Sequence, residues 1–163
     1  PLETLRGVYD FVIVDTGPQA PTPTVAAYMA VDWFILSVLP ESLAIDGLKE
    51  ALQDIRDAQQ EGNPNLRLLG VLMSGVDRRT TLAKRLTEYV EQLFIDSANK
   101  TSAKFQTTIP HSTVIPQACD QGKTVFQIAP KHRVTEAYRA VADEIEQRLS
   151  ALAPRAMEAA ANA

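Results

Sequence analysis

The chain has 163 residues, of which 45% are hydrophobic and 22% charged, and its formal net charge is -4 at pH 7. This length suits one domain with a buried core, and the acidic balance excludes a polybasic surface throughout, although a local basic patch remains compatible with it. The single cysteine, Cys119, excludes an internal disulfide, and no apolar run is long enough to span a bilayer. We therefore expect a globular cytoplasmic protein. The sequence begins with Pro1 rather than methionine, which is compatible with a processed form or with a piece of a longer protein.

Short apolar runs alternate with longer amphipathic segments along the chain. Runs rich in apolar and β-branched residues predict strands over Val8–Val14, Trp33–Leu39 and Leu66–Met73, with a short last strand over Thr107–Pro110. Apolar residues at helical spacing predict helices over Glu41–Gln60, from Leu82 to Phe94, and from about Val134 to Leu152. This alternation predicts an α/β fold with three layers, in which a mostly parallel sheet is flanked by helices. The alanine-rich residues 153–163 are predicted to form a flexible tail.

The first predicted strand ends at Asp15, which is followed by Thr16-Gly17-Pro18. A carboxylate at the carboxyl end of a parallel strand lies where α/β folds bind their ligands. If a nucleotide binds there, Asp15 can hold Mg²⁺ through a water, and the following turn can sense a γ-phosphate by shifting its backbone. The alternative is a solvated aspartate at the end of a strand.

Several segments in series resemble the ParA/MinD family of deviant-Walker ATPases, and they resemble the ParA partition branch more than MinD. These segments are YDFVIVDTGP at 9–18, VLPESLAIDGL at 38–48, LGVLMSGVDRRT at 69–80, TIPHS at 108–112 and AYRAVADEI at 137–145. They occur in the family's order over nearly the whole chain. The resemblance implies a P-loop NTPase-like fold that is incomplete at its N-terminus, with residues 1–152 forming the C-terminal part of a ParA-like ATPase domain.

The resemblance also implies roles for individual residues and implies ATP and Mg²⁺ as cofactors. Asp15 matches the Walker B aspartate, which holds Mg²⁺ through water, and Thr16-Gly17-Pro18 matches switch II. Ser74 stands where the family commonly has an asparagine that reads the adenine edge, and Pro110-His111 matches the loop beside the base. The family usually has a second proline where this chain has Gln19, so the switch geometry departs from the family's pattern.

The resemblance further implies nonspecific DNA binding. Arg79 matches an arginine that contributes to it in the ParA branch, and Lys84 and Arg85 follow one or two turns further along. Phosphate contacts from such a cluster are sensitive to salt and blind to sequence. A solvated helix face is the alternative, since the family's usual basic positions after the Ile-Pro pair are here His111 and Val114. Replacement charge is available near the start of the last helix from Lys131, His132 and Arg133.

A glycine-rich phosphate loop does not occur in this sequence, because Gly122-Lys123-Thr124 lacks both the upstream glycine and a preceding strand. The family places that loop before the Walker B strand, ahead of Pro1. We therefore expect no ATP hydrolysis by this chain alone, which is either the C-terminal part of a complete ATPase or a degenerate relative. In the first case, the strand over 8–14 lacks the neighbour that the phosphate-loop strand provides. Its apolar edge then predicts that the fragment self-associates or needs its N-terminal portion to stay soluble.

Two functions remain open on this basis. The first is an ATP-dependent partition or positioning ATPase that segregates a plasmid, a chromosome or another cargo. On this interpretation it works as a nucleotide-switched homodimer that binds DNA nonspecifically and responds to a ParB-like stimulating partner, without a membrane. The alternative is a non-catalytic interaction or dimerisation module on the same scaffold, which the absent phosphate loop, Gln19 and Ser74 favour.

Overall fold

The computed structural model describes residues 2–5, 8–17, 21–96 and 101–161 of the chain. Within these ranges, a 3-10 turn over Leu2–Leu5 precedes the elements α1 (Pro21–Tyr28), β1 (Trp33–Val38), α2 (Ala44–Glu61), β2 (Arg67–Met73), α3 (Thr81–Leu93), β3 (Ile95–Asp96), β4 (Thr101–Ser102), α4 (Val114–Asp120), α5 (Val125–Ile128) and α6 (Arg133–Ala161). No helix of the described residues is both long and apolar enough to cross a membrane.

The chain divides into two compact units. One unit is built from residues 1–34 and 47–67, and the other from residues 35–46 and 68–163. The interpretation of residues 1–152 as part of one ATPase domain stays a prediction.

Strands β1 and β2 lie side by side and run in the same direction. The backbone N–H of Arg67 donates to Asp32 O at 3.1 Å, and that of Ser74 donates to Val38 O at 2.9 Å, so both strands advance together. Parallel neighbours need a crossover connection, which α2 provides. The α/β class with a parallel sheet flanked by helices is confirmed.

The second edge of β2 is also paired in parallel, by extended backbone rather than by a continuous strand. Val71 forms an isolated bridge with Lys104, and Val76 forms one with Pro110. The predicted last strand over Thr107–Pro110 is therefore extended and lies beside the end of β2, but it is joined to it through separate bridges.

The predicted strand over Val8–Val14 is wrong for this structure. Of residues 8–17, Tyr9 takes part in an isolated bridge and residues 10–17 take no part in any sheet. The apolar side chains of this run lie exposed, with Ile13 at 91% exposure. A strand buried on both faces needs hydrogen-bonding neighbours as well as cover, and residues 10–17 have no described neighbour of that kind.

The predicted amphipathic helices are confirmed, with small differences at their ends. The helix predicted over Glu41–Gln60 is α2, and the helix predicted from Leu82 is α3. Thr80 caps α3, because its hydroxyl accepts the backbone N–H of Ala83 at 3.2 Å. The buried residues of the two helices are Leu48, Ile55 and Ala58 in α2 and Ala83, Leu86 and Val90 in α3.

The last helix, α6, contributes to a core cluster of the second unit. The buried members of that cluster are Ile109, Ala118, Val125, Val134 and Val141. The helix is assigned as far as Ala161, beyond its predicted end at Leu152. The flexibility of residues 153–163 in solution stays a prediction.

An ion pair fixes α6 against the backbone that follows β4. The Glu144 carboxylate accepts the N–H groups of Gln106 and Thr107 at 2.8 and 2.9 Å. The Arg148 guanidinium donates to Glu144 at 2.8 Å and to the carbonyls of residues 69, 103 and 104. Arg148 also lies over the Phe105 ring, 4.3 Å from its centroid. These contacts satisfy backbone groups where the pairing beside β2 is interrupted.

The sequence does not predict the shortest helices and strands. Helices α1, α4 and α5 are each too short to show a helical period, and β3 and β4 form an antiparallel pair of two residues each. Helix α5 has a local signal in hindsight, a capping box in which Thr124 and Gln127 satisfy each other's backbone N–H groups.

Candidate functional site

A glycine turn after β2 carries the first predicted site residue, Ser74. Its hydroxyl lies 3.0 Å from the Ser37 hydroxyl, which comes from the neighbouring strand β1. Gly75 follows with a φ of +65°, a conformation that side chains rarely adopt, so the chain leaves the sheet there. The Ser37 contact holds the Ser74 hydroxyl at the end of the sheet, where parallel α/β folds place ligands.

The loop with Pro110 and His111 lies directly beside this turn. The N–H of Val76 donates to Ile109 O at 3.0 Å, and the N–H of His111 donates to Val76 O at 3.0 Å. Backbone pairing therefore brings two segments together that are more than thirty residues apart in the sequence. Both segments were singled out from the sequence as one candidate site.

A cavity of about 620 Å³ opens beside these two segments. Its walls are the residues after β2, residues 108–111 and the first turns of α6. The ionisable side chains that line it are Asp77, Arg78, Arg79, His111, Arg133 and Glu136. Pro110 lines it as well, whereas Ser74 is not among the lining residues. With three guanidiniums against two carboxylates, the cavity is a basic site on a protein whose net charge is -4.

Arg79 is paired with Asp77 inside the turn that leads to α3. Its Nε lies 2.9 Å from Asp77 Oδ1, its Nη2 lies 2.7 Å from Oδ2, and its backbone N–H donates to Oδ1 at 3.0 Å. The hydrogen bonds from Arg79 hold the pKa of Asp77 far below its ordinary value and raise the pKa of Arg79. Asp77 therefore stays ionised and opposite Arg79 throughout the neutral range.

The two other arginines of the cavity make single hydrogen bonds. Arg78 Nη2 donates to the Thr108 hydroxyl at 3.3 Å, and Arg133 Nη2 donates to His111 O at 3.2 Å. Neither arginine forms an ion pair with any residue in the described part of the chain. Most of their N–H donors are therefore available to a ligand.

A smaller cavity of about 290 Å³ shares Val76, Arg78 and Thr108 with the first. Lys84 lines it, and so does Lys104, whose buried ammonium donates to Phe105 O at 3.0 Å. The predicted cation Arg85 is exposed on α3 and lines neither cavity.

The predicted metal and switch residues belong to the first unit. Asp15, Thr16 and Gly17 have no regular structure and are exposed, so the expected position of Asp15 at the end of a buried strand is wrong for this structure. Pro18 lies outside the described residues. Within the described ranges, no group of three or more histidine, cysteine or acidic residues could hold a metal ion.

Sequence reasoning did not identify Asp77 or Thr108, which line the basic cavity. Asp77 precedes Arg79 by two positions in a turn, a spacing at which an aspartate side chain commonly binds backbone N–H groups, so a local signal was present. Thr108 meets Arg78 only through folding and left no such signal.

Comparison with known proteins adds sequence relatives to this geometry. Residues 1–68 match a family model described as an AAA domain. The chain is 31% identical over 144 residues to the sporulation initiation inhibitor protein Soj of Bacillus subtilis, with 88% of this chain and 54% of that protein covered. It is 31% identical over 141 residues to the chromosome-partitioning ATPase Soj of Thermus thermophilus, with 86% and 54% covered. The chain thus spans about half the length of these curated relatives.

Two solved structures resemble this chain in fold over most of its length. Cobyrinic acid a,c-diamide synthase from Mycobacterium smegmatis, with a bound ATP analogue and magnesium, matches with a TM-score of 0.64 at 28% identity, covering 87% of this chain and 48% of that one. The cell division ATPase MinD of Pyrococcus furiosus matches with a TM-score of 0.66 at 16% identity, covering 90% and 55%.

Proposed function

Because the chain belongs to the ParA/MinD family over the part of those proteins that it spans, we propose that it is the C-terminal part of an ATP-switched partition ATPase. The observation that carries this proposal is the pairing of Val76 with Ile109 and His111. It joins the turn after β2 to the Ile-Pro-His loop beside a basic cavity. In this proposal the pair of segments serves a nucleotide on one side and a DNA backbone on the other.

On the nucleotide side, Ser74, Pro110 and His111 would contact the adenine base. Asp15 would hold Mg²⁺ through a water, and Thr16-Gly17-Pro18 would report the nucleotide state. A single carboxylate fits this mode, since Mg²⁺ keeps several waters and takes its other ligands from the phosphates. When bound, the ion would neutralise charge on those phosphates. The ATP analogue and magnesium bound by the synthase of Mycobacterium smegmatis support this choice of cofactors.

On the DNA side, Arg79, Lys84 and Arg85 would contact phosphates without reading sequence. Arg79 lines the larger cavity and Lys84 lines the smaller one, which supports this role, and Arg85 is exposed on the same helix as Lys84. The ATP-bound protein would act as a homodimer in the cytoplasm and would respond to a ParB-like partner. The relative of Thermus thermophilus that is named a chromosome-partitioning ATPase supports a partition system as the setting.

The mass of the protein in its native source tests whether a phosphate loop can exist. We expect an intact mass well above 17.9 kDa, with a glycine-rich, lysine-bearing loop upstream of Pro1. A native mass of 17.9 kDa would contradict the ATPase and favour the non-catalytic module. The irregular, exposed stretch around Asp15 is the structural feature that agrees with that second function.

Hydrolysis assays on the native-length protein then test Asp15. We expect Asp15→Asn to abolish Mg²⁺-dependent ATP hydrolysis. The matched control is Asp10→Asn, which removes an equal charge from the same exposed stretch and leaves hydrolysis unchanged. Equal rates for the two variants would remove Asp15 from the mechanism.

A further inference from the structure

The basic cavity contains one arginine that the family's pattern identifies and another that the structure adds. Arg79 matches the DNA-binding arginine of the ParA branch, while Arg133 comes from the start of α6. Of the three residues of the sequence that offered replacement charge there, only Arg133 lines the cavity. Lys131 and His132 are not among its lining residues.

The two arginines differ in the hydrogen bonds that their guanidinium groups already make within the protein. Arg79 is 88% exposed, and the Nε–Nη2 edge of its guanidinium is used in a bidentate pair with Asp77, while the N–H donors of Nη1 remain available. A phosphate that binds through this edge competes directly with the Asp77 carboxylate, so only the other end of the guanidinium is open to it without exchange. The ion pair also places a negative charge beside the position where the phosphate would bind.

Arg133 has no such competitor among the described residues. Its one hydrogen bond runs from Nη2 to His111 O at 3.2 Å, which holds the guanidinium at the cavity and leaves its other N–H donors available. Arg78 shares this character through its single contact to Thr108. Glu136, the acidic residue in the first turn of the same helix, lines the cavity without an ion pair to Arg133.

We infer that Arg133 is the principal DNA-phosphate contact of this cavity, and that the paired Asp77 carboxylate weakens the contact of Arg79 with a phosphate. This inference rests on the proposed function and identifies which cations of the site carry it. It also explains how the chain tolerates His111 and Val114 at two positions where the ParA branch has basic residues.

The first experiment compares two arginines of the same helix. Binding of the native-length protein with Mg²⁺-ATP to a duplex of random sequence is measured by fluorescence anisotropy between about 50 and 200 mM salt. The variant is Arg133→Gln, and the matched control is Arg139→Gln, because Arg139 lies over the Phe126 ring and donates to Pro130 O instead of lining the cavity. Arg133→Lys keeps the positive charge but loses the planar guanidinium, which can bind a phosphate through two N–H groups at once.

The logarithm of the DNA-binding constant falls linearly with the logarithm of the salt concentration, and the loss of one phosphate contact makes this slope shallower by about 0.9. When the salt concentration rises fourfold, the DNA affinity of Arg133→Gln should therefore fall about 3.5-fold less than the DNA affinity of the unmodified protein. Arg139→Gln should keep the original slope, and Arg133→Lys should recover most of it. Equal slopes for both glutamine variants would overturn the inference while leaving the proposed function intact. Unmodified native-length protein that shows no salt-dependent binding with Mg²⁺-ATP would contradict the DNA-binding function itself.

The second experiment is a double-mutant cycle on Asp77 and Arg79. We expect Arg79→Gln alone to change affinity little, because the Asp77 carboxylate already compensates the charge of that guanidinium and occupies one of its edges. Asp77→Asn should raise affinity modestly, by less than about fivefold for an exposed pair, and Arg79→Gln should then lose that gain. Asp143→Asn, an exposed carboxylate on α6, controls for the loss of a negative charge. A large loss from Arg79→Gln in the unmodified background would show that Asp77 does not mask Arg79.

Discussion

Replacing Glu144 with glutamine removes the charge that holds α6 to the backbone of residues 106 and 107. The carboxylate accepts both N–H groups and the Arg148 guanidinium at 2.8–2.9 Å, and its side chain is 13% exposed. A glutamine of equal size has one carbonyl oxygen, so one backbone N–H faces its amide and loses its partner. An unsatisfied donor costs about 1–3 kcal/mol, and a hydrogen bond to a charged group is worth about 1.5–3 kcal/mol. We expect Glu144→Gln to lower the free energy of unfolding by about 2–4 kcal/mol.

The loss should depend on pH in a defined direction. Burial opposes ionisation of Glu144, but the N–H groups of Thr107 and Gln106 and the Arg148 guanidinium outweigh it and lower its pKa. Since the pKa in the folded state is below the unfolded value of about 4.3, the carboxylate stabilises the fold above that pH. Its contribution disappears as the pH falls through the folded-state pKa. The difference between the unmodified chain and Glu144→Gln should therefore be largest near pH 7 and shrink in acid.

Thermal unfolding followed by circular dichroism measures this effect. A chain of this size shifts its Tm by about 2–4 °C per kcal/mol, so Glu144→Gln should lower the Tm by roughly 4–16 °C. Glu146→Gln is the matched control, because Glu146 is exposed on the same helix. Equal Tm values for the two variants at pH 7, or a difference that does not narrow in acid, would refute the reasoning.

Three further predictions concern other parts of the chain. Gly70→Ala should lower the free energy of unfolding by about 1–3 kcal/mol, because the added Cβ would lie 2.5 Å from the Phe105 ring. At Gly47 in helix α2 an added Cβ meets nothing within 4 Å, so Gly47→Ala should raise the free energy of unfolding by about 0.5–1 kcal/mol. Urea unfolding of both variants measures these changes. Thr80→Ala should cost about 1 kcal/mol through the lost cap of α3, which Thr80→Ser should largely retain in the same assay. Ile13→Lys, at a position that is 91% exposed in an apolar run, should reduce self-association in sedimentation velocity, and an unmodified chain that is monomeric at high concentration would contradict self-association through this run.

The elements that the sequence predicts correctly are those whose period shows in the residues themselves. Helices α2 and α3 carry apolar stripes, and β1 and β2 are short apolar runs bounded by polar residues or turns. The run at Val8–Val14 has the same character but takes no part in the sheet, because burial of a strand depends on neighbours as well as on composition.

The candidate site likewise contains parts that the sequence predicts and parts that it does not. The Ser74 turn and the Ile-Pro-His loop could be identified from their motifs, and the structure brings the two segments together through backbone pairing. The contacts of Arg133 with His111 O and of Glu144 with residues 106 and 107 join distant parts of the chain. A period or a spacing in one sequence carries no information on such pairs, so only the fold reveals them.

The most direct test of the account is DNA binding by the native-length protein in its different nucleotide states. Binding to a duplex of random sequence is measured with Mg²⁺-ATP, with Mg²⁺-ADP and without nucleotide, at one salt concentration. The account predicts tight, sequence-independent binding with ATP and weak binding in the other two states. Equal binding in all three states, or none in any, would contradict a nucleotide-switched partition ATPase.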